Sequence, residues 1–159
     1  MNDFKLISRI DTPLPSPCRT RKAERPLLRV GAVQCAWHPN PDEHRATLQR
    51  GVQLAAAQGA KVVLLQELTL SPYFCVVPDV ENALERYGED LESGPTVTLA
   101  RELASRHGIA VHASLYERTA DQRGFNTAIC VDAAGKLLTR TRKTHIPEFH
   151  YYHEDRYFE

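Results

Sequence analysis

A strand–helix–strand unit, legible between Leu28 and Leu65, restricts this chain more than any other feature. Leu28, Val30, Ala32 and Val33 form a short apolar strand that closes at Gln34-Cys35. Asn40 then offers an N-cap, Pro41 fits the first helical position, and Asp42 and Glu43 complement the positive end of the helix dipole. Leu48, Val52 and Ala55 recur at helical spacing and mark one buried face, and Gly59 supplies the stop. Next comes Lys61-Val62-Val63-Leu64-Leu65, a continuous apolar run of the kind found in a strand covered on both faces. A helix between two strands implies layers of sheet and helix, an α/β chain.

Beyond this unit, Thr69 to Gly94 is a long irregular stretch. Long connections in compact domains commonly build sites. Val80, Leu84 and Tyr87 inside it have the spacing of a short helix starting near Asp79. Pro95 opens a further helix, with Val97, Ala100, Leu103 and Ala104 inward and Gly108 as its stop, and a strand follows over Ile109–Tyr116. Phe125–Val131 and Lys136–Thr141 then flank Asp132-Ala133-Ala134-Gly135, a hairpin signature. From Arg142 to Glu159 the chain is aromatic and charged, with neither helical nor strand period.

Residues 1–26 read as a disordered leader, because Pro13, Pro15 and Pro17 are followed by the basic cluster Arg19, Arg21, Lys22 and Arg25. Such a segment holds too little apolar material to offset the entropy of ordering. The folded part therefore spans 27–159. Twenty basic residues balance twenty acidic ones, so no net field draws the chain to nucleic acid or to a membrane surface. No apolar run reaches the roughly 18 residues of a membrane span, and residues 1–25 hold no secretory h-region. Cys18, Cys35, Cys75 and Cys130 are scattered, without the CxxC spacing of a zinc knuckle. Free thiols in a reducing cytoplasm are the expectation.

Two residues stand where chemistry is commonly built. Glu67 directly follows the apolar run, at the end of a strand, where α/β sites form. A carboxylate partly withdrawn from water there can shuttle a proton. Lys143 follows the last strand, with Pro147 restraining the chain beyond it. A fixed ammonium stabilises an oxyanion as a carbonyl carbon becomes tetrahedral. On position alone, a solvated strand-end glutamate and a surface lysine remain the commoner fates of such residues.

Taken together, four segments carry a resemblance. Strand Val30–Gln34 with its helix comes first, and Leu64-Leu65-Gln66-Glu67-Leu68 with Pro72-Tyr73-Phe74 second. Phe125-Asn126-Thr127-Ala128 and Arg142-Lys143-Thr144-His145-Ile146-Pro147 complete the series. In that order they resemble the N-terminal portion of the nitrilase superfamily of carbon–nitrogen hydrolases. The resemblance covers residues 28–158 and implies an α-β-β-α sandwich, here incomplete. Pro72-Tyr73-Phe74-Cys75 and the run Tyr151–Phe158 look most like N-carbamoylputrescine amidases, with the β-ureidopropionase group as nearest neighbour. That likeness implies hydrolysis of an N-carbamoyl amine to amine, carbon dioxide and ammonia, a reaction of polyamine metabolism, with a small-molecule substrate and no cofactor. Glu67 would be the general base and acid, and Lys143 the oxyanion holder. Glu154 matches a second acidic residue that positions substrate or Lys143.

The family nucleophile is a cysteine beyond Lys143, and no cysteine follows Cys130 in this sequence. The chain as given is therefore expected to be inactive, with Cys75 no substitute. Glu148-Phe149-His150 also stands where relatives carry a glycine-containing stretch. His145, His150, His153, Glu148 and Asp155 lack the helical spacing of a zinc motif, and the family needs no metal. No GxGxxG or GxxxxGK[ST] loop follows any strand, which argues against a nucleotide-binding domain. Homo-oligomerisation is expected of the complete protein. A non-enzymatic protein that uses half of the fold to bind a partner is the alternative.

Overall fold

The computed structural model describes residues 4–8, 17 and 24–159. Five strands form one sheet in chain order: β1 (Val30–Ala32), β2 (Val62–Leu64), β3 (Ala110–Arg118), β4 (Gly124–Val131) and β5 (Leu137–Arg142). β1, β2 and β3 are parallel, joined by helical crossovers, and β3, β4 and β5 form an antiparallel meander. The helices are α1 (Pro41–Ala57), α2 (Ala83–Tyr87) and α3 (Pro95–His107).

Local chemistry explains the ends. Asn40 caps α1 as expected, its Oδ1 accepting from the backbone of Asp42 and Glu43 at 3.0 and 3.1 Å. Gly59 and Gly108 close their helices at φ of +83° and +62°, a region open to glycine at little cost. α3 has no side-chain cap at Gly94. Glu89 supplies it from outside, accepting from Thr96 N and Thr96 Oγ1, both at 2.7 Å. The β4–β5 turn is held by Asp132 Oδ1, which accepts from Ala134 N and Lys136 N, with Gly135 at φ +80°.

The two sheet faces differ. Register places Val63, Val111, Ala113, Leu115, Ile129 and Val131 on one face, buried against Leu48 and Val52 of α1 and Val97, Ala100, Leu103 and Ala104 of α3. The opposite face carries Val30, Ala32, Val62, Leu64, Ala110, His112 and Cys130. Leu64 is 37% exposed and Val30 58%. The double coverage expected of the 61–65 run is therefore not observed at β1 and β2, where Val30 and Leu64 stay exposed. Among the described residues, the same face is covered at the C-terminal end of β3, where Tyr116 is buried against Phe74 and Phe158. Of the sandwich, one helical layer and one sheet layer are present.

Three expectations shift in detail. The short helix begins at Ala83 rather than near Asp79, because Asn82 sits at φ +52°, a left-handed conformation that interrupts a right-handed helix. The tail expected to lack regular structure contains a small hairpin, β6 (Glu148–Phe149) with β7 (Tyr152–His153), and a 3₁₀ turn at Glu154–Arg156. Within the expected leader, Phe4 packs against the core near Val33 and Gly51. Residues 1–3, 9–16 and 18–23 of it lie outside the described residues.

Candidate active site

The turn after β2 aims Glu67. Leu68 takes φ +48°, an uncommon conformation for a branched residue, and its side chain is buried in the aromatic cluster around Phe74 and Tyr116. Ser114 on β3 pins this turn twice: its Oγ accepts from Leu68 N at 3.2 Å and its carbonyl from Thr69 N at 2.8 Å. Thr69 Oγ1 returns the contact, accepting from Ser114 N at 3.0 Å. The result is a fixed backbone from which Glu67 projects outward. Its side chain is 43% exposed, more open than the partly withdrawn carboxylate expected from sequence.

Lys143 arrives from the other side. Its backbone N–H donates to the Asn126 carbonyl at 2.8 Å, extending the β4–β5 ladder by one residue past β5. The ammonium reaches Glu67 Oε1 at 3.3 Å and Glu154 Oε1 and Oε2 at 2.9 and 2.7 Å. These three contacts use all three donors of a lysine. Glu154 is 1% exposed, and Tyr73 donates its hydroxyl to Glu154 Oε1. Burial, the largest influence on Lys143, opposes its charge, but the hydrogen bond to Glu154 and the charge of Glu67 outweigh it and raise the lysine above its ordinary value. Tyr73 is pushed up by burial and then by Glu154, which keeps its hydroxyl a donor.

All three residues singled out from sequence thus meet at one end of the sheet. An ammonium flanked by two carboxylates can hold a developing oxyanion only by giving up a contact, and the 3.3 Å one to Glu67 is the longest. Two participants carried no role in the sequence reading. Asn126 donates from Nδ2 to Glu67 Oε1 at 2.6 Å, and Tyr73 steadies Glu154. An amide inside the largely apolar β4, where Asn is a poor strand former, was the available signal. Cys75 is fully buried, and burial followed by the charges of Glu154 and Glu67 pushes its thiol up to about 12. A neutral, inaccessible thiol is no nucleophile. Among the described residues no group of three or more His, Cys, Asp or Glu is placed to hold a metal.

Comparison with known proteins decides the family, since the carbon–nitrogen hydrolase family matches residues 29–159. The chain belongs to the carbon–nitrogen hydrolases. It is 31% identical to a citrullinase of Francisella tularensis subsp. tularensis over 134 residues, covering 82% of this chain and 45% of that protein. An N-carbamoylputrescine amidase of Solanum lycopersicum is 32% identical over 132 residues, covering 83% of this chain and 43% of the relative. The crystal structure of a carbon–nitrogen hydrolase from Helicobacter pylori G27 superposes with a TM-score of 0.73 at 25% identity, over 83% of this chain and 44% of the other. The chain therefore spans less than half the length of these relatives. The fold expected from the resemblance, a mixed α/β arrangement of the nitrilase kind, is the one observed.

Proposed function

We propose that this chain supplies the acid–base and oxyanion-holding side chains of an amidohydrolase acting on small N-carbamoyl amines of the N-carbamoylputrescine type. The observation that carries the reading is the single ammonium of Lys143 bonded to both Glu67 and Glu154 at the sheet end. Support for the substrate class comes from the amidase and citrullinase relatives. In this reading a cysteine thiol from polypeptide outside residues 1–159 adds to the carbamoyl carbon and gives its proton to Glu67. Lys143 holds the resulting oxyanion, and ammonia or amine leaves with the proton that Glu67 returns. Water then hydrolyses the S-carbamoyl enzyme, returning the thiol and releasing a carbamic acid that splits to carbon dioxide and the remaining amine or ammonia. Carbamoyl amine and water thus become amine, carbon dioxide and ammonia. A reducing cytoplasm is the compartment proposed, supported by the unpaired Cys35, Cys75 and Cys130.

The test grafts residues 29–159 in place of the matching segment of the tomato amidase, whose remaining half completes the fold. The chimera is expected to release ammonia from N-carbamoylputrescine, and Glu67→Gln or Lys143→Ala to lower kcat by about a thousandfold. The 159-residue chain alone is expected to release none. A folded chimera that hydrolyses other amides but not this carbamoyl amine overturns the substrate, and unimpaired variants overturn the roles.

The open sheet face favours a second reading, a partner-binding protein without turnover. A monodisperse chain that captures a polypeptide on that face, with no ammonia release from the chimera, would establish it.

A further inference from the structure

Glu67 is held by an arrangement that distinguishes its two oxygens. Both groups that contact it, Asn126 Nδ2 at 2.6 Å and Lys143 Nζ at 3.3 Å, converge on Oε1. Among the described residues no donor reaches Oε2. The side chain is 43% exposed, so the carboxylate stands open to the site rather than sealed in the core. Asn126 itself is 5% exposed and carries an amide whose orientation matters. Reversed, it would set a carbonyl oxygen against a carboxylate.

The orientation is set by Ser114. Its Oγ accepts from Leu68 N at 3.2 Å, which leaves the hydroxyl proton to go elsewhere, and it donates to Asn126 Oδ1 at 3.4 Å. That contact, long but correctly directed, marks the acceptor end of the amide and leaves Nδ2 facing Glu67. The backbone of Asn126 is fixed as well, since its carbonyl accepts from Lys143 N at 2.8 Å. One residue thus ties the carboxylate to the backbone of the lysine beside it, through a hydroxyl that also pins the Glu67 turn.

We propose that Asn126, oriented by Ser114, is a positioning residue that fixes Glu67 through Oε1 and reserves Oε2 for proton transfer. The proposal rests on the hydrolase reading for its chemistry. A proton taken from the attacking thiol goes to Oε2, and from Oε2 to the leaving nitrogen, while Oε1 stays bonded to Asn126 throughout. A carboxylate free to rotate would present either oxygen at varied distances, and misplacement by about 1 Å costs on the order of a hundredfold in rate.

The first measurement uses the 159-residue chain and no turnover. In ¹⁵N-labelled protein, the Asn126 side-chain amide protons are expected to exchange with solvent at least about tenfold more slowly than those of exposed Asn40. Glu67→Gln should move the Asn126 side-chain resonance by removing the charged acceptor, and Ser114→Ala should abolish the slow exchange while the backbone spectrum stays folded. Exchange as fast as Asn40, or a resonance indifferent to Glu67→Gln, overturns the contact. The second measurement uses the chimera: Asn126→Leu should lower kcat about a hundredfold with KM within about twofold, as expected when orientation rather than binding is lost. A rise in KM with kcat unchanged overturns the positioning role. A silent parent chimera counts against the hydrolase reading and not against the amide contact, which the spectra decide alone.

Discussion

Cys75 lies within the field of Glu67 and Glu154, and its burial decides what it can do. A thiol held near 12 has almost no thiolate at neutral pH, and no reagent reaches a side chain with no exposed surface. Iodoacetamide at pH 8 is therefore expected to alkylate the half-buried Cys35 and Cys130 and to spare Cys75 until the chain is unfolded, as read by peptide mass spectrometry. Early labelling of Cys75 would reopen it as a nucleophile. At this scale the sequence was legible where a residue ends a strand. Glu67 could be singled out because an apolar run ends beside it, and Lys143 because it follows the last strand and Pro147 restrains the chain beyond it. Asn126 gave less away, because its role depends on Ser114 and Glu67 converging from strands far apart in sequence. Glu117, buried at 3% on β3, was equally hidden, since nothing local shows that β5 will bring two arginines to it.

Those arginines show how the meander is held together at its site end. Thr127 Oγ1 of β4 donates to Glu117 at 2.6 Å, and Arg142 of β5 makes a two-pronged contact at 2.9 and 2.7 Å. Arg140 adds a longer one at 3.3 Å, and the Arg142 guanidinium lies 3.7 Å from the Phe125 ring centroid. Burial is the largest influence on Glu117 and opposes its charge. The hydrogen bonds from Arg142 and Thr127 and the charges of both arginines prevail, so the carboxyl lies below its ordinary range. A depressed folded value means that the network's contribution is full above the unfolded glutamate value of about 4.3 and drains as pH falls through the folded one. Arg142→Met keeps the stem on Phe125 and removes the fork, and is expected to cost about 2 kcal/mol at pH 7. The gap to wild type should narrow at pH 3, below the unfolded glutamate value, because the unfolded chain then binds protons that the native pairing excludes. Urea denaturation at both values checks it, and a gap independent of pH would assign the loss to packing instead. Elements with strong periodicity or caps, α1 and α3 above all, were readable from sequence. The β6–β7 hairpin was not, because strands of two residues leave no alternation to detect.

For the whole molecule, the sheet is the deciding object: helices cover one face, and the other is apolar and exposed at β1 and β2 while the aromatic cluster covers it at the C-terminal end of β3. The apolar run at 61–65 announced a strand, but a run of Val and Leu cannot say which neighbours will cover it. Here Val63 points into the helical layer at 0% exposure, whereas Leu64, one residue on, points out at 37%, with Val30 at 58% on the adjacent strand. Their face continues through Val62, Ala110 and Cys130, and a contiguous apolar surface of this kind drives association in water. The paired substitution Val30→Thr with Leu64→Thr places a β-branched strand former at both positions while adding hydroxyls that solvent can satisfy. It is expected to reduce concentration-dependent association of the chain in sedimentation velocity and to leave its thermal midpoint nearly unchanged. Val63→Thr, which adds the same hydroxyl to the helix-covered face, should instead destabilise by about 1–3 kcal/mol without improving solubility. The contrast gives the comparison its force, because Val63 and Leu64 are chain neighbours that face opposite sides of the sheet, so the outcome reports which face is covered. If both variants lose stability equally, the second face is covered in solution; if association survives the paired substitution, it arises from another surface, such as the exposed Phe149 and Tyr151 of the β6–β7 hairpin.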